Sequence, residues 1–117
     1  DLDTAGGSVY TMGMQAIQTI SSMFIGKSFF TVQGISKEFG YTVSSYDSMN
    51  MLQAVLHQCS EAFVVADSSK FNRRSLVQLA DIRDIPNIIT NVEIDSEYKN
   101  YLFNNKIKVY TSFDEKR

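Results

Sequence analysis

Residues Ala62–Ala66 form an unbroken run of five apolar residues that stops at an acid, within the stretch AFVVADSSKF (Ala62–Phe71). A short apolar run bounded by polar turn residues fits a strand buried on both faces, as in a parallel sheet. Ligands of such sheets bind in the crevice beyond the carboxyl ends of the strands. That geometry puts Asp67, Ser68, Ser69 and Lys70 at the edge, where they offer an acid, two hydroxyls, backbone N–H groups and a cation. The set suits a polar, anionic small molecule. A plain polar turn with Lys70 in solvent accounts for the same residues, and on these residues alone both readings stand.

The rest of the chain alternates around this strand. Asp1–Ala5 reads as a strand running into a loop at Gly6-Gly7, a pair that permits positive φ and close backbone approach, by a ligand or by another segment. Ser8 or Thr11 can cap a helix in which Met14, Ile17, Ile20 and Phe24 share one apolar face. Lys27–Gln33 (KSFFTVQ) has the β-branched and aromatic content of a strand, and Gly34 and Gly40 follow in a second loop able to line a site. Tyr41-Thr42-Val43 reads as extended, and Ser45, Asp47 or Ser48 caps a helix carrying Met51, Leu52, Val55, Leu56 and Cys59 on one side. After the central strand, Leu76, Leu79 and Ala80 suggest a short helix, with Arg73 and Arg74 at its start facing solvent. Asn87–Asn91 is a further strand, and Asp95 or Ser96 caps a helix through Asn104 whose apolar contacts are Tyr98, Leu102 and Phe103. Asn104-Asn105 suits a left-handed helix stop, Ile107–Thr111 is a last strand, and Asp114–Arg117 is a charged, frayed tail. Alternation of this kind predicts an α/β domain, an open and mostly parallel sheet with helices on both faces.

Composition narrows the function classes. The formal net charge is −2 without a basic block, so the chain does not present a DNA-binding surface of its own. The single cysteine, Cys59, excludes an internal disulfide and fits a reducing, cytoplasmic setting. No apolar run approaches the roughly 20 residues that span a bilayer, so no membrane partner is expected. His57, the only histidine, has no acid or cysteine at ligand spacing, so neither a metal site nor a histidine-assisted nucleophile is supported, and no cofactor is implied. The chain starts without methionine and in what reads as mid-element, as a single-domain piece (1–117) of a larger protein would.

Several segments together resemble the carboxyl-terminal sensor domain of DeoR-type transcriptional regulators: the early Gly-Gly, FFTVQGIS with a following FGYT, FVVADSSKF, and IPNIITN followed by a helix and KVY. The resemblance covers nearly the whole chain, and ADSSKF is its most specific piece. It implies a fold similar to the ribose-phosphate isomerase and CoA-transferase group, an amino-terminal winged helix-turn-helix outside this chain that carries DNA binding, and a homo-oligomer. It further implies a phosphorylated sugar as effector of a repressor of sugar metabolism, with no catalysis. Carried over by position, Gly6 and Gly7 match the family's first glycine loop, Gly34 and Gly40 the second, and Lys70 the lysine after the central strand. A lysine there can pair with a phosphate while hydroxyls and strand-end N–H groups orient it.

Four positions depart from the family pattern: Gly26 stands where an acid is usual, Ser48 and Leu52 where a glutamate and a lysine are, and Asn91 where ITD becomes ITN. These departures keep two other readings open. One is an isomerase-like enzyme acting on sugar phosphates, for which Asp67 is the only obvious general base. The other is a structural oligomerisation module without a ligand.

Overall fold

The computed structural model describes residues 13–91 and 94–111. The expected strand at Asp1–Ala5, the loop at Gly6 and Gly7, the caps Ser8 and Thr11 and the tail Asp114–Arg117 lie outside the described residues. In chain order the elements are α1 (13–21), β1 (Ile25–Thr31), β2 (Gly34–Ser36), β3 (Gly40–Val43), α2 (Tyr46–Gln58), β4 (Cys59–Val65), β5 (Val77–Ala80), β6 (Asn87–Thr90), α3 (Ser96–Asn104) and β7 (Lys108–Thr111). Short 3-10 turns occupy Ser68–Lys70 and Ile82–Asp84.

The expected α/β class is what the structure has: a parallel sheet flanked by helices. Its strand order is β1-β4-β6-β7, with every pair parallel. The apolar run of β4 lies between β1 and β6, with Val64 level with Phe30 on one side and Ile88 on the other. Chain order and sheet order run in the same direction, so right-handed crossovers deliver the connecting segments to one face. On that face Phe30, Val64 and Ile88 share a core with Leu79, Ile82, Ile85, Tyr98 and Leu102, and Leu52, Val55 and Leu56 of α2 pack against it. The opposite face carries a row in which Phe29 stacks on Phe63 at 5.0 Å and Phe63 meets Tyr110 at 5.9 Å.

Helix ends follow from local chemistry. Ser45 caps α2, its hydroxyl accepting from the Ser48 N–H at 3.1 Å. Asp95 caps α3, its carboxylate accepting from the Tyr98 N–H at 2.9 Å. At the end of α3 the left-handed residue is Lys106 (φ 62), not Asn104 or Asn105. The Ile107 N–H reaches Leu102 O at 2.9 Å and the Lys106 N–H reaches Phe103 O at 3.0 Å, a Schellman closure that buries Ile107 beside Leu102. Phe103, expected as an apolar contact of this helix, points outward and is 81% exposed. Phe24 likewise lies beyond α1 and is fully exposed, whereas Ile17 and Ile20 are half-buried.

The main departure from expectation is at residues 76–80. They form no helix: Val77–Ala80 is a strand in a second, antiparallel sheet ordered β2-β3-β5. Leu76, which suggested helical spacing, is exposed, while Leu79 is completely buried. In this small sheet Thr42 accepts from the Ser75 N–H at 2.8 Å, and the Tyr41 hydroxyl donates to Ile85 O at 2.7 Å. A single parallel bridge between Ile35 and Phe71 joins it to the segment after β4.

Candidate functional site

The carboxyl ends of β4 and β6 are tied together. The Ala66 N–H donates to Ile89 O at 3.0 Å, so β4 stays in register until the chain turns at Asp67. There the Asp67 carboxylate accepts from the Ser69 N–H at 2.9 Å and from the Ser69 hydroxyl, folding residues 68–70 into one 3-10 turn. The hydroxyl of Ser69 and then its N–H hold the Asp67 carboxyl below the usual carboxylate range, against a small opposing effect of burial, and the charge of Lys70 assists. The Ser68 N–H donates to Asn91 Oδ1 at 2.9 Å, and the Thr90 hydroxyl reaches the same oxygen at 3.3 Å. Asn91 is thus an acceptor that pins the turn to the end of β6 through its neutral amide oxygen.

The structure brings Asp67, Ser68, Ser69 and Lys70 together at the strand end, with Ser68 and Lys70 half-buried and Asp67 and Ser69 exposed. Among the described residues Lys70 makes no ion pair. Gly34 and Gly40 sit at the starts of β2 and β3, and the room each leaves is taken by backbone. A Cβ on Gly34 would lie 2.5 Å from Arg73 O, and one on Gly40 would lie 2.4 Å from Ala80 O. Gly6 and Gly7 are outside the described residues. Of the departures from the family pattern, Gly26 has open space around it, Ser48 is exposed in the first turn of α2, and Leu52 packs against the core.

A second cluster beside the turn escaped the sequence reading. Asn72 follows Phe71 with φ 60, a left-handed position that Asn tolerates better than most residues. Its backbone N–H donates to Ile35 O at 2.7 Å, and its amide oxygen accepts from the Tyr98 hydroxyl at 3.4 Å. Tyr98 meets Phe71 edge-on at 5.6 Å and Tyr101 at 6.0 Å. Lys37, in the turn between β2 and β3, pairs with Glu97 of α3, and its ammonium stands 5.5 Å from the Tyr98 ring centre and 5.9 Å from that of Tyr101. Glu97 is the main reason the Lys37 ammonium titrates above its ordinary range. The partners are 60 residues apart, so no spacing rule could have paired them. Arg74 is exposed as expected, with its guanidinium 4.8 Å from the centre of the Phe39 ring.

The parallel sheet thus ends, beyond its central strand, in a capped polar turn that carries Lys70. The comparisons with known proteins specify the class. Residues 5–92 match the profile of the family described as the DeoR C terminal sensor domain, and the chain belongs to that family. It is 34% identical over 83 residues to the HTH-type transcriptional regulator FruR of Bacillus subtilis, covering 71% of this chain and 33% of that protein. It is 24% identical over 113 residues to the glycerol-3-phosphate regulon repressor of Haemophilus influenzae, covering 93% of this chain and 44% of that protein. It is 26% identical over 101 residues to the L-fucose operon activator of the same organism, covering 81% of this chain and 41% of that protein. The chain therefore spans less than half the length of these relatives. No helix among the described residues is long and apolar enough to cross a membrane.

Proposed function

We propose that this chain is the part of a DeoR-type regulator that binds a phosphorylated sugar, and that ligand binding changes the regulator's affinity for its operator. DNA binding belongs to an amino-terminal domain beyond this chain, the regulator is a cytoplasmic homo-oligomer, and its role is that of a repressor of sugar metabolism. The observation that carries the reading is Lys70, held half-buried on a capped turn at the carboxyl end of the central strand. An ammonium there pairs with a phosphate, and the neighbouring Ser68 and Ser69 hydroxyls supply orientation. The names of the relatives, one concerned with glycerol 3-phosphate and one with fucose, support a small polyol or sugar metabolite as the ligand. The ligand acts only through its different affinity for two states of the regulator.

Binding to the folded state alone stabilises it by mass action, by about 2.7 kcal/mol when the ligand is at 100 times its Kd. Thermal unfolding against millimolar phosphosugars is therefore the test. We expect at least one sugar phosphate to raise Tm, and Lys70→Ala to reduce that shift several-fold without lowering the unliganded Tm. A panel that leaves Tm unmoved removes the sensing function.

The state of Asp67, the obvious candidate base of an enzyme reading, supports a role without catalysis. Asp67 is engaged as the cap of the 3-10 turn and is held ionised well below neutrality, whereas an efficient general base has a pKa near the working pH. One observation favours the ligand-free module: backbone fills the space beside Gly34 and Gly40. On that reading no phosphosugar shifts Tm at all.

A further inference from the structure

Between the β2–β3 turn, Asn72 and the start of α3 lies a cleft of about 350 Å³ lined by Ser36, Lys37, Glu38, Asn72, Asp95 and Glu97, with Tyr98 behind them. Its volume is within the roughly 300–1,000 Å³ typical of small-molecule sites. We infer that this cleft takes the uncharged, hydroxyl-bearing end of the effector and rejects a second phosphate there. The inference rests on the reading of Lys70 as the phosphate-binding group, and it adds which kinds of sugar phosphate the site accepts.

Three features of the cleft carry it. The first is its charge. Lys37 stands against Glu38, Asp95 and Glu97, so the walls sum to 1 − 3 = −2. The one cation is already committed, to Glu97 and to the faces of Tyr98 and Tyr101. An anionic group entering here meets the carboxylates of Glu38 and Asp95 with the one lysine already paired to Glu97, and like charges repel.

The second feature is the stock of hydrogen-bonding groups. Asn72 uses its amide oxygen on the Tyr98 hydroxyl, which leaves the two N–H donors of its amide unengaged among the described residues. Asp95 caps α3 with one oxygen, so the other remains an acceptor. Ser36 accepts from the Phe39 N–H and keeps its own O–H to donate, and Glu38 is exposed with no side-chain bond among the described residues. Donors and acceptors interleaved at this density match sugar hydroxyls, each of which both gives and receives a hydrogen bond.

The third feature is place. Asn72 is two residues beyond Lys70; its backbone N–H bonds Ile35 O of β2, while its side chain reaches Tyr98 of α3. One short chain segment therefore contributes both the cation and the amide donors, and a single ligand can engage both.

The test is titration of this chain with inorganic phosphate, with fructose and glucose 6-phosphates, and with their 1,6-bisphosphates. We expect at least one 6-phosphate to bind tenfold or more tightly than both inorganic phosphate and its own bisphosphate. Asn72→Ala should erase the advantage of the 6-phosphate over inorganic phosphate while leaving phosphate binding itself unchanged. Glu38→Gln, which touches nothing structural, should raise bisphosphate affinity several-fold, and it serves if the strained position of Asn72 does not tolerate alanine. A bisphosphate that binds as tightly as the monophosphate overturns the inference, as does an Asn72→Ala variant that weakens phosphate and sugar phosphate equally. If Lys70→Ala leaves 6-phosphate binding intact while Asn72→Ala abolishes it, the phosphate assignment falls and the cleft stands. If no probe binds, both fall.

Discussion

At the scale of single residues, Tyr41 shows how one polar atom constrains the interior. Its ring is fully buried, and its hydroxyl donates to Ile85 O at 2.7 Å. Burial is the main cause that pushes its phenol far above the ordinary tyrosine range. Removing the hydroxyl leaves the Ile85 carbonyl without its donor, so Tyr41→Phe should cost about 1–3 kcal/mol at neutral pH, measured by urea unfolding. The pH dependence has a definite sign. Above a pH of about 10 the unfolded chain loses the phenolic proton while the folded chain keeps it, so the folded state binds more protons and stability falls as pH rises. The contribution is whole below pH 10 and declines above it. Tyr98 and Tyr101, also raised by burial, decline in the same window. The difference between wild type and Tyr41→Phe should therefore shrink from pH 8 to pH 11, and a constant difference would mean that Tyr41 keeps its proton in neither state or in both.

At the scale of elements, the glycines separate into those the fold needs and those it does not. Gly40 has φ +66 and a Cβ there would lie 2.4 Å from Ala80 O, at the joint between β3 and β5. Gly40→Ala combines a left-handed backbone, which costs about 1–2 kcal/mol, with a clash against main chain that cannot swing away. It should lower stability by more than 2 kcal/mol. Gly26 has open space around it and no positive φ, so Gly26→Ala should be neutral or stabilise by about 0.4–1 kcal/mol through the unfolded chain. The denaturation midpoint must fall for Gly40→Ala and not for Gly26→Ala, or the packing argument fails. The same joint explains what the sequence left unread. The parallel strands were legible because β4 and β6 are short apolar runs with polar ends, as burial between neighbouring strands demands. The antiparallel sheet was legible only at Tyr41–Val43, since β2, β3 and β5 have only three or four residues each and β5 sits where Leu76, Leu79 and Ala80 imitate helical spacing. Strand identity there is decided by partners elsewhere in the chain, with Tyr41 opposite Ala80 and Gln53 donating to Leu79 O at 2.6 Å. The candidate site divides in the same way. The turn at Asp67–Lys70 was visible because an apolar run stops there, whereas Lys37, Glu97 and Asn72 meet only through tertiary structure.

At the scale of the whole molecule, the two sheets are coupled through shared side chains rather than a long interface of strands. Among the described residues an isolated bridge, Ile35 to Phe71, ties the small sheet to the segment after β4, while Ile35, Tyr41, Val43 and Leu79 of the small sheet belong to the same core cluster as Phe30, Val64 and Ile88 of the parallel sheet. Apolar contact therefore dominates the coupling, and neither sheet buries its inner face without the other. A three-stranded sheet of such short strands has little stability of its own. The physical consequence is one cooperative transition in which both sheets melt together. Leu79→Ala provides the measurement: Leu79 is completely buried in β5, and a leucine truncated to alanine in a core costs about 2–5 kcal/mol. The chain has no tryptophan, so far-UV circular dichroism can follow the backbone while near-UV signals of the tyrosines follow packing. We expect both probes to shift to the same lower denaturant midpoint with an unchanged m-value. Should the tyrosine signal move while the backbone transition of the parallel sheet stays in place, the antiparallel sheet would be an independently unfolding unit. The cleft between the β2–β3 turn and α3 would then open and close without disturbing the turn that carries Lys70.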